Sequence, residues 1–277
     1  MKAARAFDVV TIATRVAVVV LAELIALPVG AGGAPPNLGP AAEPDPRRSG
    51  FDSMSPALQA MQRDDAANPA MLWVQDGAAL WQHPAGRAAK SCADCHGAAE
   101  RSLRGVAARY PAFDAAANRV VDLRQRLQQC RTSNQGAAAW ATESAEQLGI
   151  EAYVARQSRG LPIAPPADAR LQPARERGEK LFRQRHGQLD FSCAQCHDQR
   201  PGGRLAGSTI PEAHPTGYPL YRLEWQGLGS LQRRLRGCMS GVRAEPVSYG
   251  APEWVDLEAY LMQRAAGMAF DAPGVRP

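Results

Sequence analysis

Two pentapeptides, Cys92-Ala-Asp-Cys95-His96 and Cys193-Ala-Gln-Cys196-His197, stand 101 residues apart in the chain. Each spaces two thiols by one helical turn and follows the second at once with an imidazole. Covalent haem attachment needs that order: the thiols reach the two vinyl groups and the imidazole binds the iron. Other chemistries use the same residue types. Three disulfides could consume the six cysteines, and zinc could take the Cys and His pairs. Two complete pentapeptides in a repeated context favour two covalently bound haem c groups. Cys92, Cys95, Cys193 and Cys196 are then the attachment residues, and His96 and His197 the proximal iron ligands.

The repeat extends beyond the pentapeptides. Gly77, Leu80, Trp81, Gly86, Ser91 and Cys92 recur as Gly178, Leu181, Phe182, Gly187, Ser192 and Cys193 at the same offset of 101. Further on, Leu123-x-x-Arg126-Leu127-x-x-Cys130 recurs as Leu231-x-x-Arg234-Leu235-x-x-Cys238, now at an offset of 108. The second copy therefore carries seven more residues between the matched blocks. Two motifs in the same order argue for duplication. The expected fold is mainly α, with two tandem cytochrome c-like haem domains related by duplication. Apolar spacing predicts helices over 118–130, 143–157 and 254–268, and no alternating strand is evident.

The domains expected are 61–165 and 166–277, parted at the proline-rich break Leu161–Pro166. A Pro/Ala-rich tether is expected over 32–60. Residues 1–31 read as an export signal: Lys2 and Arg5 start it, and an apolar run from Val16 to Val29 precedes small residues. Glu23 interrupts that run, which is short for a membrane span. The expected location is the periplasm, with an uncleaved anchor or a cytosolic amphipathic helix as the alternatives. The net charge of +5 does not point to nucleic acid. The arginines are not interleaved with aromatics, and two haems bring about four propionate charges of opposite sign.

The second axial position of each iron is the informative question. After His96 the next Met is Met239 and the next His is His186, so the first domain offers neither. Its remaining soft donor is Cys130, which recurs as Cys238. Thiolate ligation by Cys130 and by Cys238 is the expectation. A disulfide joining those two cysteines is the alternative, and Met239, Met262 and His214 are rivals at the second iron. Arg233, Arg234, Arg236 and Arg243 lie within five residues of Cys238. Guanidinium groups bind oxyanions bidentately and favour a thiolate. A solvated basic face explains arginines alone; their coincidence with the odd cysteine favours a site. On a helix Arg234 stands one turn before Cys238 on the same face. His83, His186 and His214 read as surface or hydrogen-bonding residues. Trp81, Trp225 and Trp254 read as core or haem-contact residues.

The stretch Tyr221–Pro246, above all Arg234-Leu235-Arg236-Gly237-Cys238 with the trailing Arg243-Ala244-Glu245-Pro246, resembles the active-site segment of SoxA, the larger cytochrome subunit of SoxAX complexes. The resemblance covers roughly residues 60–270. It implies an L-cysteine S-thiosulfotransferase that joins thiosulfate to a cysteine of a SoxYZ-like carrier protein and releases two electrons. It implies a SoxX-like small cytochrome c as heterodimer partner and cytochrome c as electron acceptor. The family's catalytic cysteine ligand, often a persulfide, maps onto Cys238, its arginine onto Arg234 and its proximal histidine onto His197. Retention of Cys92, Cys95, His96 and Cys130 matches the dihaem type. A dihaem electron carrier without sulfur chemistry is the alternative. A dihaem peroxidase needs an openable iron position, which a soft ligand on each iron disfavours.

Overall fold

The computed structural model describes residues 45–277 except Ala206; the export signal expected over 1–31, and residues 32–44 of the expected tether, lie outside the described residues. After α1 (Pro56–Arg63), the first copy runs α2 (Met71–Gln82), α3 (Cys92–His96), α4 (Ala99–Ser102), β1 (Ala112–Asp114), β2 (Arg119–Val121), α5 (Leu123–Gln129) and α6 (Ala145–Arg156). The second runs α7 (Gln172–Arg183), α8 (Cys193–His197), β3 (Arg204–Leu205), β4 (Ser208–Thr209), β5 (Leu220–Arg222), β6 (Gly227–Gly229), α9 (Leu231–Gly241), α10 (Pro252–Arg264) and β7 (Gly274–Arg276).

One crossing organises each copy. Helix α2 packs on α6, and α7 packs on α10. A Cβ on Gly77 would overlap the Gly149 carbonyl, and one on Gly178 would overlap that of Asp256. The repeated glycines are there because backbone meets backbone. One turn beyond each glycine a large ring is buried, Trp81 in one core cluster and Phe182 in the other.

The structure corrects the expected helix over 118–130. Val120 and Val121 lie in β2 and pair with Phe113 and Ala112 of β1. The helix begins only at Leu123, because the Asp122 side chain accepts from Gln125 N–H at 2.7 Å and fixes the N-terminus there. The same arrangement recurs: β5 pairs with β6 at the equivalent register, Leu220 against Gly229, and Ser230 caps α9. Strand β7 adds parallel to β5. The helices expected over 143–157 and 254–268 are α6, capped by Ser144, and α10. From Asp45 onward the chain is docked, unlike a free tether. Arg47 donates to the carbonyls of Arg264 (2.7 Å) and Ala266 (2.9 Å), and Ser49 is buried.

The break at Leu161–Pro166 is also tied down. Pro162 bridges Ala269 antiparallel, with Gly160 N–H donating to Phe270 O and Ile163 N–H to Met268 O. These two segments occupy equivalent places in the two copies, 107 residues apart. Equivalent residues also converge on a polar cavity of about 30 Å³: Tyr110 with Tyr218, Asp122 with Ser230, Arg124 with Gln232, Glu151 with Glu258. The two copies thus meet across a pseudo-two-fold axis.

The cavity sets a pH dependence. Arg124 pairs with Asp122 at 2.9 Å, and Gln232 Nε2 donates to Asp122 at 3.1 Å. Glu151 Oε2 is buried without a hydrogen-bond partner. Burial pushes the Glu151 carboxyl up to about 8; Arg124 opposes this, while Asp122 and Glu143 add to it. Burial and Asp122 likewise push Glu258 well above the carboxylate range. A carboxyl protonated in the fold but ionised when unfolded stabilises fully at low pH. That contribution is lost as pH rises through the folded value. We expect stability, read by denaturant unfolding, to fall by on the order of 2 kcal/mol between roughly pH 5 and 9. Glu151→Gln should flatten that slope; an unchanged slope would remove Glu151 as its source.

Candidate functional site

Each pentapeptide is a single helical turn closed by a reciprocal cap. Ser91 and Asp94 close α3, and Ser192 and Gln195 close α8, each side chain bonding the other's backbone N–H. The cap fixes where the turn begins, so both thiols and the imidazole leave it in set directions. Trp81 anchors the first turn: Nε1–H donates to Gly97 O at 3.1 Å, and its ring centroid lies 5.7 Å from that of His96. Phe182 holds the equivalent place, 6.5 Å from the His197 ring. His197 Nδ1–H donates to Pro211 O at 2.6 Å, which leaves Nε2 free to act as a ligand.

All six cysteines are free, so no disulfide joins Cys130 to Cys238. Each instead faces the pentapeptide of its own copy. Burial raises the Cys92 thiol and the nearby Cys130 adds to it; burial pushes Cys193 up to about 11, with Cys238 adding to it. The rivals for the second iron are placed as follows. His214 Nδ1–H donates to Arg48 O at 3.0 Å, and Met262 is buried in the first core cluster. Met239 packs against the cluster of Phe182 and Trp254. His186 is a hydrogen-bonding residue, Nε2 to Leu181 O at 2.9 Å, and His83 is exposed.

A cleft of about 420 Å³ opens beside Cys92, lined by Leu80, Gly86, Arg131, Gln135 and Trp140 among others. Of the donors only Cys92 lines this cleft; Cys95 and His96 follow on the same helical turn and Cys130 lies near Cys92, and two thiols, an imidazole and a further soft donor are a set whose chemistry fits a haem c. The second copy repeats the donors. The loop between α7 and α8 is clamped to the segment after α9. Gly187 has φ +67, and a Cβ there would overlap the Val242 carbonyl. Gly86 meets Gln135 in the same way, but its partner is offset by 107, not 108. The difference is a π turn at Cys130–Asn134, which takes up one extra residue beside Cys130 where α9 remains α-helical.

Of the four arginines expected at Cys238, the structure brings one inward. Burial pulls Arg234 down, but the neighbouring Cys238, Tyr218 and Glu224 outweigh it and raise it. Arg233 lies over the Trp225 ring at 4.2 Å and Arg236 over Tyr249 at 4.5 Å. Arg243 is exposed, at φ +58. Trp225 is therefore a platform for arginine, and Trp254 is core with Nε1–H donating to Val247 O. Two residues escaped the sequence reading. The Tyr218 phenol, raised by burial, sits among Arg234, Cys238, Arg276 and Arg222. Arg222 is 6% exposed. For Tyr218 the signal was the repeat itself, since Tyr110-Pro111 and Tyr218-Pro219 stand 108 apart; Arg222 has no such signal, since the residue 108 before it is Asp114.

The family model for the SoxA/TsdA cytochrome c domain matches residues 76–163 and 177–270, one stretch in each copy. The chain belongs to this SoxA family. It is 35% identical over 232 residues to the L-cysteine S-thiosulfotransferase subunit SoxA of Rhodovulum sulfidophilum, covering 84% of this chain and 81% of the relative. It is 36% identical over 216 residues to that of Pseudaminobacter salicylatoxidans, covering 78% and 76%. The crystal structure of SoxXA from P. pantotrophus superposes with a TM-score of 0.80 at 29% identity, covering 83% of this chain and 87% of that one. The two cytochrome c domains of the SoxA fold are thus the two copies read from the sequence.

Gly187→Ala removes no donor yet should force the Val242–Ala244 segment away and shift the helix end that carries Cys238. We expect a loss of about 2–3 kcal/mol in thermal or denaturant unfolding. The absorption bands of the second haem should shift while those of the first stay unchanged.

Proposed function

We propose that this chain is a dihaem SoxA-type L-cysteine S-thiosulfotransferase subunit, exported to the periplasm. It joins thiosulfate to a cysteine of a SoxYZ-like carrier protein. The observation that carries the reading is the placement of Cys238: beside the second pentapeptide, one turn after a half-buried Arg234 that it raises. An electron-transfer centre needs a ligand there; it has no use for an anion-binding guanidinium at the same sulfur.

Cys92 and Cys95 would attach one haem and Cys193 and Cys196 the other. His96 and Cys130 would ligate the first iron, and His197 and Cys238 the second. Haem c, when bound, would supply one-electron acceptors beside Cys238. Arg234 binds the sulfonate end of thiosulfate by charge-assisted hydrogen bonds and points its terminal sulfur at Cys238 Sγ. A sulfur–sulfur bond forms there with the loss of two electrons. The carrier's cysteine thiolate then attacks the thiosulfate-derived sulfur, and Cys238 leaves as thiolate, as in thiol–disulfide exchange. In sum, one carrier thiol and one thiosulfate give one disulfide-linked sulfonate, one proton and two electrons. A SoxX-like small cytochrome and a cytochrome c acceptor carry the electrons away. The solved SoxXA complex supports the SoxX-like partner, and the relatives' printed name supports the transferase reading. Among the described residues no helix is long and apolar enough to cross a membrane.

Cys238→Met keeps a soft iron ligand but cannot exchange sulfur. With both haems retained by pyridine haemochrome assay, we expect thiosulfate-dependent cytochrome reduction to drop by at least about a hundredfold. Retained activity would reduce Cys238 to a ligand and give the dihaem electron carrier its place.

A further inference from the structure

The duplication supplies an internal control for the second site. Strands β1 and β5 hold the same register against β2 and β6: Asp114 stands opposite Arg119, and Arg222 opposite Gly227. Arg222 is therefore the equivalent of Asp114, 108 residues on. In the first copy Asp114 pairs with Arg126 at 3.3 Å and also accepts from the N–H groups of Ala116 and Ala117. Arg126 is the counterpart of Arg234. The first copy thus cancels its arginine with a carboxylate. The second puts another arginine in the carboxylate's place.

Like charges together in a buried place need a reason. Arg222 is 6% exposed, and burial followed by Arg234 pushes its pKa down. Among the described residues its Nε finds no hydrogen-bond partner. Glu224 touches Nη2 at 3.3 Å from an exposed position, and the Arg222 guanidinium lies 5.3 Å from the Trp225 ring centroid. A buried guanidinium with a donor to spare, beside a second guanidinium, is complementary to an anion that carries two charges.

We propose that Arg222 is the second arm of the substrate clamp: Arg222 and Arg234 together bind the doubly charged sulfur oxyanion at Cys238, and Asp114 denies the first copy such a site. This rests on the thiosulfate reading above and names the residue that recognises its charge. Arg222 recognises the dianion and sets its affinity; Cys238 does the sulfur chemistry.

The test uses the dihaem protein with its partner cytochrome and radiolabelled sulfate as an unreactive divalent oxyanion. Equilibrium dialysis at low salt should give saturable binding to the wild type. Arg222→Gln should weaken it by about tenfold or more, Arg222→Asp further, and Arg222→Lys least, because a point charge remains without the fork. In steady state Arg222→Gln should raise KM for thiosulfate by a similar factor and leave kcat within about threefold. If the Gln and Asp variants lose haem or fail to fold, Arg222→Lys carries the test: its sulfate Kd and thiosulfate KM should still rise together. Wild-type protein that binds sulfate through Arg222 yet does not turn over thiosulfate would keep the anion clamp and sink the reaction. Normal turnover, with KM and sulfate affinity unaltered by Arg222→Gln or Arg222→Lys, would overturn the clamp and leave the reaction standing.

Discussion

The backbone of α2 touches that of α6 at Gly77, and only hydrogen fits there. Gly178 makes the same contact between α7 and α10. Everything at the two candidate haem sites is referenced to these crossings. The buried ring one turn later, Trp81 or Phe182, is fixed in depth by the crossing and stands beside the pentapeptide's histidine. The loop that follows closes through Gly86 or Gly187 onto the chain leaving α5 or α9. That second contact sets where Cys130 and Cys238 lie relative to the cysteines below them. A side chain at any of these four glycines moves a donor without changing it.

On this shared backbone the two copies have diverged in charge. At the first, Asp114 neutralises Arg126, and a π turn displaces the chain after Cys130 by one residue. At the second, Arg222 replaces the acid, Arg234 lies beside Cys238, and Tyr218 sits among the guanidinium groups. In the proposed function the first site lends itself to electron transfer and the second to binding an anion. Electron transfer asks only for the first kind, whereas binding and activating a dianion asks for the second. The division of labour between the copies thus resides in a few side chains on one strand and one helix.

The copies are held together by their own equivalents. The segments that follow α6 and α10 pair across the pseudo-two-fold axis, and the cavity on that axis contains carboxyls from both. A proton retained on Glu151 relieves repulsion with Glu258 and Asp122 there. The interface between the copies is therefore more secure at low pH than at high.

The two Cys-x-x-Cys-His pentapeptides were legible at once, and each falls within a stretch that matches the cytochrome c domain. So were the duplication and the pairing of Cys130 with Cys238, because repeated spacing survives without any knowledge of shape. The helix start at Asp122 was misplaced, since Val120 and Val121 suit a helix face as well as a strand and only pairing with β1 decides between them. Among the arginines near Cys238, proximity in sequence selected four and packing retained Arg234, because aromatic rings and carbonyls capture Arg233 and Arg236. Arg222 lies sixteen positions from Cys238, on another element, and no local pattern points to it. The sequence by itself determined which donor groups are present and how they are spaced, because that pattern is local. Only the tertiary structure decided which charges surround them, because an electrostatic environment is assembled from elements far apart in the chain.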